Sequence, residues 1–378
     1  MDTLKTIEEL EQEISNERGK LSTDKMDISF GELINLYKNR ELIIQPEYQR
    51  LYRWTPTQKT ALIESILLAI PIPPIFVAED DNGIWELVDG LQRVATFISF
   101  FGSLRTDVTK LRYDNAEDDE FGEEGKISIG NKWKLEEGSL IKSLDGYNFD
   151  TLPTKYIINL KRAVCRVEIL RGKSNISMKY ELFKRLNSGG SKLTPQEIRN
   201  AIYRGINPTL NELIIELSQS EIFQKLTKLS NKKKLQLYDQ ELILRFIAFL
   251  DNVKNVNDST ENYLNTFMEE AVNKDDLQAD NFRKKFLEVI QLIDNLDDNK
   301  IFRSKTNLFV PAEFEGIMIG VAQNIELYRN DLTLLRKRAN ELKNDVDFKK
   351  YSGSASNSKS RIKNRLTRAN TIFSAKTY

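Results

Sequence analysis

No histidine occurs anywhere in the 378 residues. That absence removes Ser-His-Asp and Cys-His catalysis from this chain, along with zinc sites built on imidazole and any nuclease whose general base is histidine. Cysteine is nearly as scarce. Cys165 stands alone, so no internal disulfide and no thiolate metal site can form, and a reducing compartment suits the chain. No apolar run reaches the length of a membrane span: the longest apolar region, ALIESILLAIPIPPIFVA, is broken by Glu64, Pro71, Pro73 and Pro74. The start, MDTLKTIEELEQE, is acidic and lacks the apolar core of a signal peptide. Neither sign of charge is in excess, with 56 Lys and Arg against 56 Asp and Glu, so any binding to nucleic acid must be local. A cytoplasmic protein without membrane association is expected. Its chemistry must run on carboxylates, arginine, lysine, hydroxyls and a hard cation such as Mg²⁺.

What is present is enough for two domains, and 40% hydrophobic residues can bury a core. Leu4, Ile7, Leu10 and Ile14 predict an N-terminal helix within residues 1–25. From 26 to 205 the pattern mixes helix and strand. SFGELINLYKNR reads as a short helix, and ELIIQPEYQRLYRW as extended chain, with Pro46 against a helix. TPTQKTALIESILLAI has Thr55 as N-cap, Pro56 at N1 and Gln58 at N3, and a buried face of Leu62, Ile63, Ile66, Leu67 and Ile70, before Pro71 ends it. IFVAE and IWELV form a hairpin around Asp80-Asp81-Asn82-Gly83. The helix after Gly90 buries Leu91, Val94, Ala95, Ile98 and Phe101, and AVCRVEIL is a strand facing inward through Cys165, Val167 and Ile169. ELFKRLNSGGSKLTPQEIRNAIY reads as helix, glycine-rich turn and helix, with Thr194, Pro195 and Glu197 repeating the capping pattern. Residues 206–346 show helical periodicity alone, and 347–378 form a basic tail with eight Lys or Arg after Asp347 and no acid.

Asp89-Gly90-Leu91-Gln92-Arg93 stands where a strand gives way to a helix. Glycine lets a ligand approach the backbone, and a helix start offers N–H groups and partial positive charge to a phosphate. Arg93 can fork onto phosphate oxygens, and Asp89 can hold Mg²⁺ or a water. The same residues also read as a plain Asp-Gly turn with a surface arginine. Gln49-Arg50 is a second Gln-Arg pair; Arg50, Tyr52 and Trp54 suit a nucleotide by charge and stacking, or else the outer face of an edge strand. Asn187-Ser188-Gly189-Gly190-Ser191 lacks Walker spacing and reads equally as a helix C-cap running into an N-cap. The acidic run 114–124 reads as a solvated loop. The basic tail is either a nucleic-acid contact acting through counterion release or a disordered terminus.

Taken in order, IIQPEYQRLYRW, LIESILLAIPIPPIFV, WELVDGLQRVATFISFF and FKRLNSGGSKLTPQEIRNAIY resemble the family known as domain of unknown function 262, within the ParB/sulfiredoxin-like superfamily. It supplies the amino-terminal half of GmrSD-type modification-dependent restriction enzymes and of the phosphorothioate-sensing effector of Ssp defence systems. The resemblance runs over about residues 28–204, and GSASNSKSRIKNRL is similar to the end of the family's helical region. It implies an α+β protein: a ParB/sulfiredoxin-like mixed α/β front domain followed by an all-helical domain. Relatives bind or hydrolyse nucleoside triphosphates through a DGQQR-like motif, met here by Asp89, Gly90, Gln92 and Arg93, with Leu91 in place of the usual first glutamine. The resemblance assigns catalysis to Asp89, Gln92 and Arg93, with Asp89 also meeting Mg²⁺. It assigns nucleotide contacts to Gln49, Arg50, Gly90, Asn187, Gly189 and Gly190.

Restriction members of the family carry a further domain with histidine-based nuclease chemistry, which a chain without histidine cannot supply. Cutting is therefore expected from a partner nuclease or defence protein. The expectation is a Mg²⁺-dependent nucleoside triphosphatase serving as a switch or sensor in an anti-phage or modification-dependent restriction system. Arg50 and Arg93 would clamp the phosphates and Gln92 would position water. Two alternatives stand beside it: a nucleotide- or DNA-binding adaptor without turnover, and a ParB-like nuclease, which needs a metal site. DNA contact is expected through the basic tail, and the apolar helices of the back half leave room for a homo-oligomer.

Overall fold

The structure is a computed structural model that describes residues 6–19, 22–44, 54–80, 82–104, 131–171, 176–186, 194–203, 207–250, 258–271, 276–353 and 357–374. It falls into two units, Met1–Lys192 and Leu193–Tyr378. The first carries a five-stranded mixed sheet and helices, and the described elements of the second are helical. The protein is α+β.

In the first unit, α1 (Ile7–Arg18) starts from a capping box between Thr6 and Glu9, and its stripe Ile7, Leu10 and Ile14 is exposed. β1 (Thr23–Ser29) follows, a strand that the sequence reading does not contain. Its residues, TDKMDIS, are mostly polar and exposed, so no apolar alternation announces it; pairing with β5 (Val164–Leu170) creates it. Ser29 then caps α2 (Phe30–Lys38) by accepting the Glu32 N–H. β2 (Leu42–Ile43) is a two-residue strand inside the stretch read as extended. α3 (Pro56–Leu67) has the expected Thr55–Gln58 capping box and proline start. It buries Leu62, Ile63 and Ile66, but Ile70 is exposed because the helix has already ended at Leu67.

β3 (Ile75–Glu79) and β4 (Trp85–Asp89) form the expected hairpin. Asp80 closes its turn, the carboxylate accepting N–H bonds from Asn82 and Ile84 at 2.9 and 2.8 Å. The strand order is β1-β5-β3-β4-β2, with β1–β5 and β3–β4 antiparallel and β5–β3 and β4–β2 parallel. Val77, Leu87, Val167 and Ile169 line the buried face of this sheet. α4 (Leu91–Phe100) adds an aromatic cluster, with the Phe97 ring 4.3 Å from that of Phe30 and 4.7 Å from that of Phe101. Burying each such ring is worth about 1.5–3 kcal/mol. α5 (Thr154–Arg162) leads into β5, and α6 (Ile176–Leu186) packs on β4.

One buried carboxylate organises a loop of this unit. Glu64, on α3, accepts the N–H groups of Ser139, Leu140 and Ile141 at 3.2, 2.8 and 2.7 Å and the Ser139 hydroxyl at 2.8 Å. Burial works to raise its pKa, but these hydrogen bonds outweigh burial and hold it below the ordinary carboxylate range.

The second unit opens with α7 (Pro195–Tyr203), whose Thr194–Glu197 capping box is as expected. Next come α8 (Pro208–Ser218), α9 (Glu221–Thr227), α10 (Asn231–Leu235), α11 (Tyr238–Leu250), α12 (Thr260–Glu270) and α13 (Asp276–Asp294). α14 (Pro311–Gln323), α15 (Leu332–Asn344), α16 (Val346–Ser352) and α17 (Lys359–Ser374) complete it. The segment read as a basic tail is thus largely helical. α17 buries Ile362, Leu366, Ala369, Ile372 and Phe373, an apolar stripe at helical spacing beneath its basic residues. Gly320 on α14 admits it, since a Cβ there would lie 2.4 Å from the Phe373 ring.

A chain of buried ion pairs crosses four of these helices. Arg199 on α7 donates to Glu241 at 2.7 Å, and Arg245 donates to Glu241 at 2.8 Å and to Glu315 at 2.6 Å. Arg365 on α17 closes the chain through Glu315. Burial raises the pKa of both glutamates, but the arginines more than offset it and hold both carboxyls low.

Candidate functional site

The site predicted at Asp89 lies where β4 ends and α4 begins. A bulge decides its geometry. Val77 pairs with Leu87, but Phe76 pairs with Asp89, so one extra residue enters β4 at Val88. Strict alternation would put Asp89 on the buried face of Leu87; the bulge re-aims it. The Asp89 side chain is 40% exposed. Gly90 follows with φ 98° and ψ 14°, and a Cβ there would sit 2.7 Å from Ile75 Cγ2. Both the left-handed backbone and the close approach require glycine. Having no side chain, Gly90 also leaves the first-turn N–H groups of α4 without a side-chain cap, at the positive end of the helix.

Arg93 is only 15% exposed and is already engaged. Its Nη1 donates to the Pro73 and Pro74 carbonyls at 2.6 and 3.2 Å, and its Nη2 to Asp89 Oδ2 at 3.1 Å. The half-buried guanidinium therefore satisfies its charge within the fold and anchors the segment entering β3 to the turn leaving β4. No local spacing pairs Arg93 with those prolines, which lie about twenty residues earlier. The signal was present in IPIPP, because tandem prolines carry carbonyls without matching N–H donors. Gln92 Oε1 accepts the Trp54 N–H at 3.2 Å.

Asp89, Gly90, Gln92 and Arg93 thus stand together at one strand end. Gln49, Arg50, Asn187, Gly189 and Gly190 lie outside the described residues, as does the acidic run 114–124. Of the described residues nearest Gln49 and Arg50 in sequence, Ile43 pairs with Glu86 on β4, and the Trp54 N–H donates to Gln92. Among the described residues no group of three or more His, Cys, Asp or Glu could hold a metal ion. Asp89 offers one carboxylate, which fits Mg²⁺ carried by a polyphosphate, because that ion keeps several waters and needs only one or two protein oxygens. No helix of the described residues is long and apolar enough to cross a membrane.

The fold and site define an α+β domain with a strand–glycine–helix turn that presents a carboxylate beside an uncapped helix start. Residues 30–204 match the family model described as the GmrSD restriction endonuclease, N-terminal domain. Over this stretch the chain is similar to that family, whose description is that of a restriction-system component. No curated protein and no solved structure matches the chain. The matched stretch runs past the end of the first unit and takes in α7 of the second.

Proposed function

We propose that the turn at Asp89 binds a nucleoside triphosphate carried with Mg²⁺, and that hydrolysis there makes the protein a switch or sensor in a restriction or anti-phage system. Cutting would belong to a partner nuclease or defence protein. The carrying observation is the half-buried Asp89 carboxylate, held by Arg93 at the uncapped start of α4. In this reading the first-turn N–H groups receive phosphate oxygens, and Asp89 orients a water or meets the cation. Bound there, Mg²⁺ would neutralise charge on the phosphates. Gln49, Arg50, Asn187, Gly189 and Gly190 complete the nucleotide contacts.

One observation favours a second reading, binding without turnover. Arg93 bonds Pro73, Pro74 and Asp89, so it acts as a strut rather than as an outward clamp. Released phosphate, measured with each of the four triphosphates and Mg²⁺ with and without DNA, separates the two. Turnover that falls about 10²-fold or more in Asp89→Asn, with the melting temperature retained, supports the enzyme. Saturable binding without phosphate release supports the adaptor. Absence of both, with Asp89→Asn silent in a phage challenge, overturns the site.

A further inference from the structure

β1 is an outer strand of the sheet, and among the described residues no strand pairs with its free edge. Two backbone bonds give its direction. Arg171 N–H donates to the Ser22 carbonyl, and Phe30 N–H to the Ala163 carbonyl. The even-numbered residues of β1 therefore address β5, while Thr23, Lys25, Asp27 and Ser29 turn their N–H and C=O groups outward. The Lys25 N–H agrees, since it leaves the ladder and donates to the Asp24 carboxylate at 2.8 Å. On one face of the strand Lys25 meets Glu168 at 3.4 Å and Asp27 meets Arg166 at 3.0 Å. Between them, on the other face, Met26 is 43% exposed.

We propose that two copies of this chain pair antiparallel through β1, with Met26 of one copy opposite Met26 of the other. The register follows from the residues. With the two-fold axis at Met26, the outward-turned Lys25 and Asp27 of one copy face Asp27 and Lys25 of the other and exchange both backbone hydrogen bonds. An axis at residue 25 sets lysine against lysine, and an axis at residue 27 sets aspartate against aspartate. Registers between these set outward-turned groups against inward-turned ones. In the favoured register the Glu168–Lys25 row of one copy continues into the Asp27–Arg166 row of the other, so charge alternates in sign across the interface. Met26 meets its counterpart in a closely spaced non-hydrogen-bonded pair. The Asp24 carboxylate swings off the Lys25 N–H and keeps its bond to Arg171, 2.9 Å away.

Sedimentation of the full chain over a range of concentrations tests this. The wild type self-associates to a dimer. Lys25→Asp and Asp27→Lys each weaken the dimer about tenfold, because two attractive pairs become repulsive. An equimolar mixture of the two variants regains it as a heterodimer. The double variant Lys25→Asp with Asp27→Lys also regains it, although both residues then repel Glu168 and Arg166 within their own chain; an effect on folding alone cannot produce that recovery. Met26→Cys cross-links under mild oxidation while Thr23→Cys does not, since residue 23 is remote from its counterpart across the axis. Native Cys165 does not compete, being buried with its thiol pushed up to about 12. A monomer at every concentration, a dimer indifferent to the charge variants, or equal cross-linking at residues 23 and 26 overturns the proposal.

Discussion

At the residue scale, most of the candidate site's chemistry turns on Gly90 and on where Arg93 spends its donors. Gly90→Ala places a methyl 2.7 Å from Ile75 Cγ2 on a backbone at φ 98°. It is expected to cost about 1–3 kcal/mol, read as a lower urea midpoint. Arg93→Ala removes bonds to two carbonyls and Asp89. It is expected to lower the melting temperature whether or not a nucleotide is bound, which is why Asp89→Asn is the cleaner probe of chemistry. Glu64 makes a pH prediction. Its folded-state pKa lies below the ordinary value despite burial, because Ile141, Ser139 and Leu140 bond the charged form. Its contribution is therefore present above the ordinary carboxylate pKa and is lost as pH falls through the depressed one. Glu64→Gln should be less stable at neutral pH by about 1–3 kcal/mol, and the gap to wild type should narrow in acid, as pH-dependent melts would show.

At the element scale, the caps were legible because a capping box is local. Thr55 with Gln58 and Thr194 with Glu197 need only three residues' separation, and both are present. β1 was not legible, because its partner lies more than a hundred residues away and most of its own side chains stay in water. α17 was half legible. Its charge was plain, but its docking against Gly320 depends on a helix elsewhere in the chain. The same holds for the ion pairs that cross α7, α11, α14 and α17. Glu315→Gln leaves Arg245 and Arg365 buried without their shared anion. It is expected to destabilise by about 3–5 kcal/mol, whereas Glu326→Gln, an exposed pair with Arg329, should change stability by less than about 1 kcal/mol. Urea unfolding followed by helical circular dichroism compares the two.

At the scale of the whole molecule, a nucleotide that binds the folded chain alone must stabilise it by mass action. A triphosphate held near 100 times its Kd should add about 2.7 kcal/mol, and Asp89→Asn should reduce that thermal shift if the carboxylate meets the bound group. The order of residues alone sets the α+β class, the hairpin, the helix starts and the glycine turn beside Asp89, because each rests on spacing and capping within a few residues. The absence of histidine chemistry is set as directly, since composition needs no fold. That Arg93 bonds two proline carbonyls and Asp89, that Glu64 holds a loop, that the basic segment is largely a docked helix and that a polar stretch becomes an edge strand emerge from the fold. Each of those depends on which distant donor or acceptor the folded chain brings within about 3 Å, a distance at which hydrogen bonds and steric exclusion act and which sequence spacing does not encode.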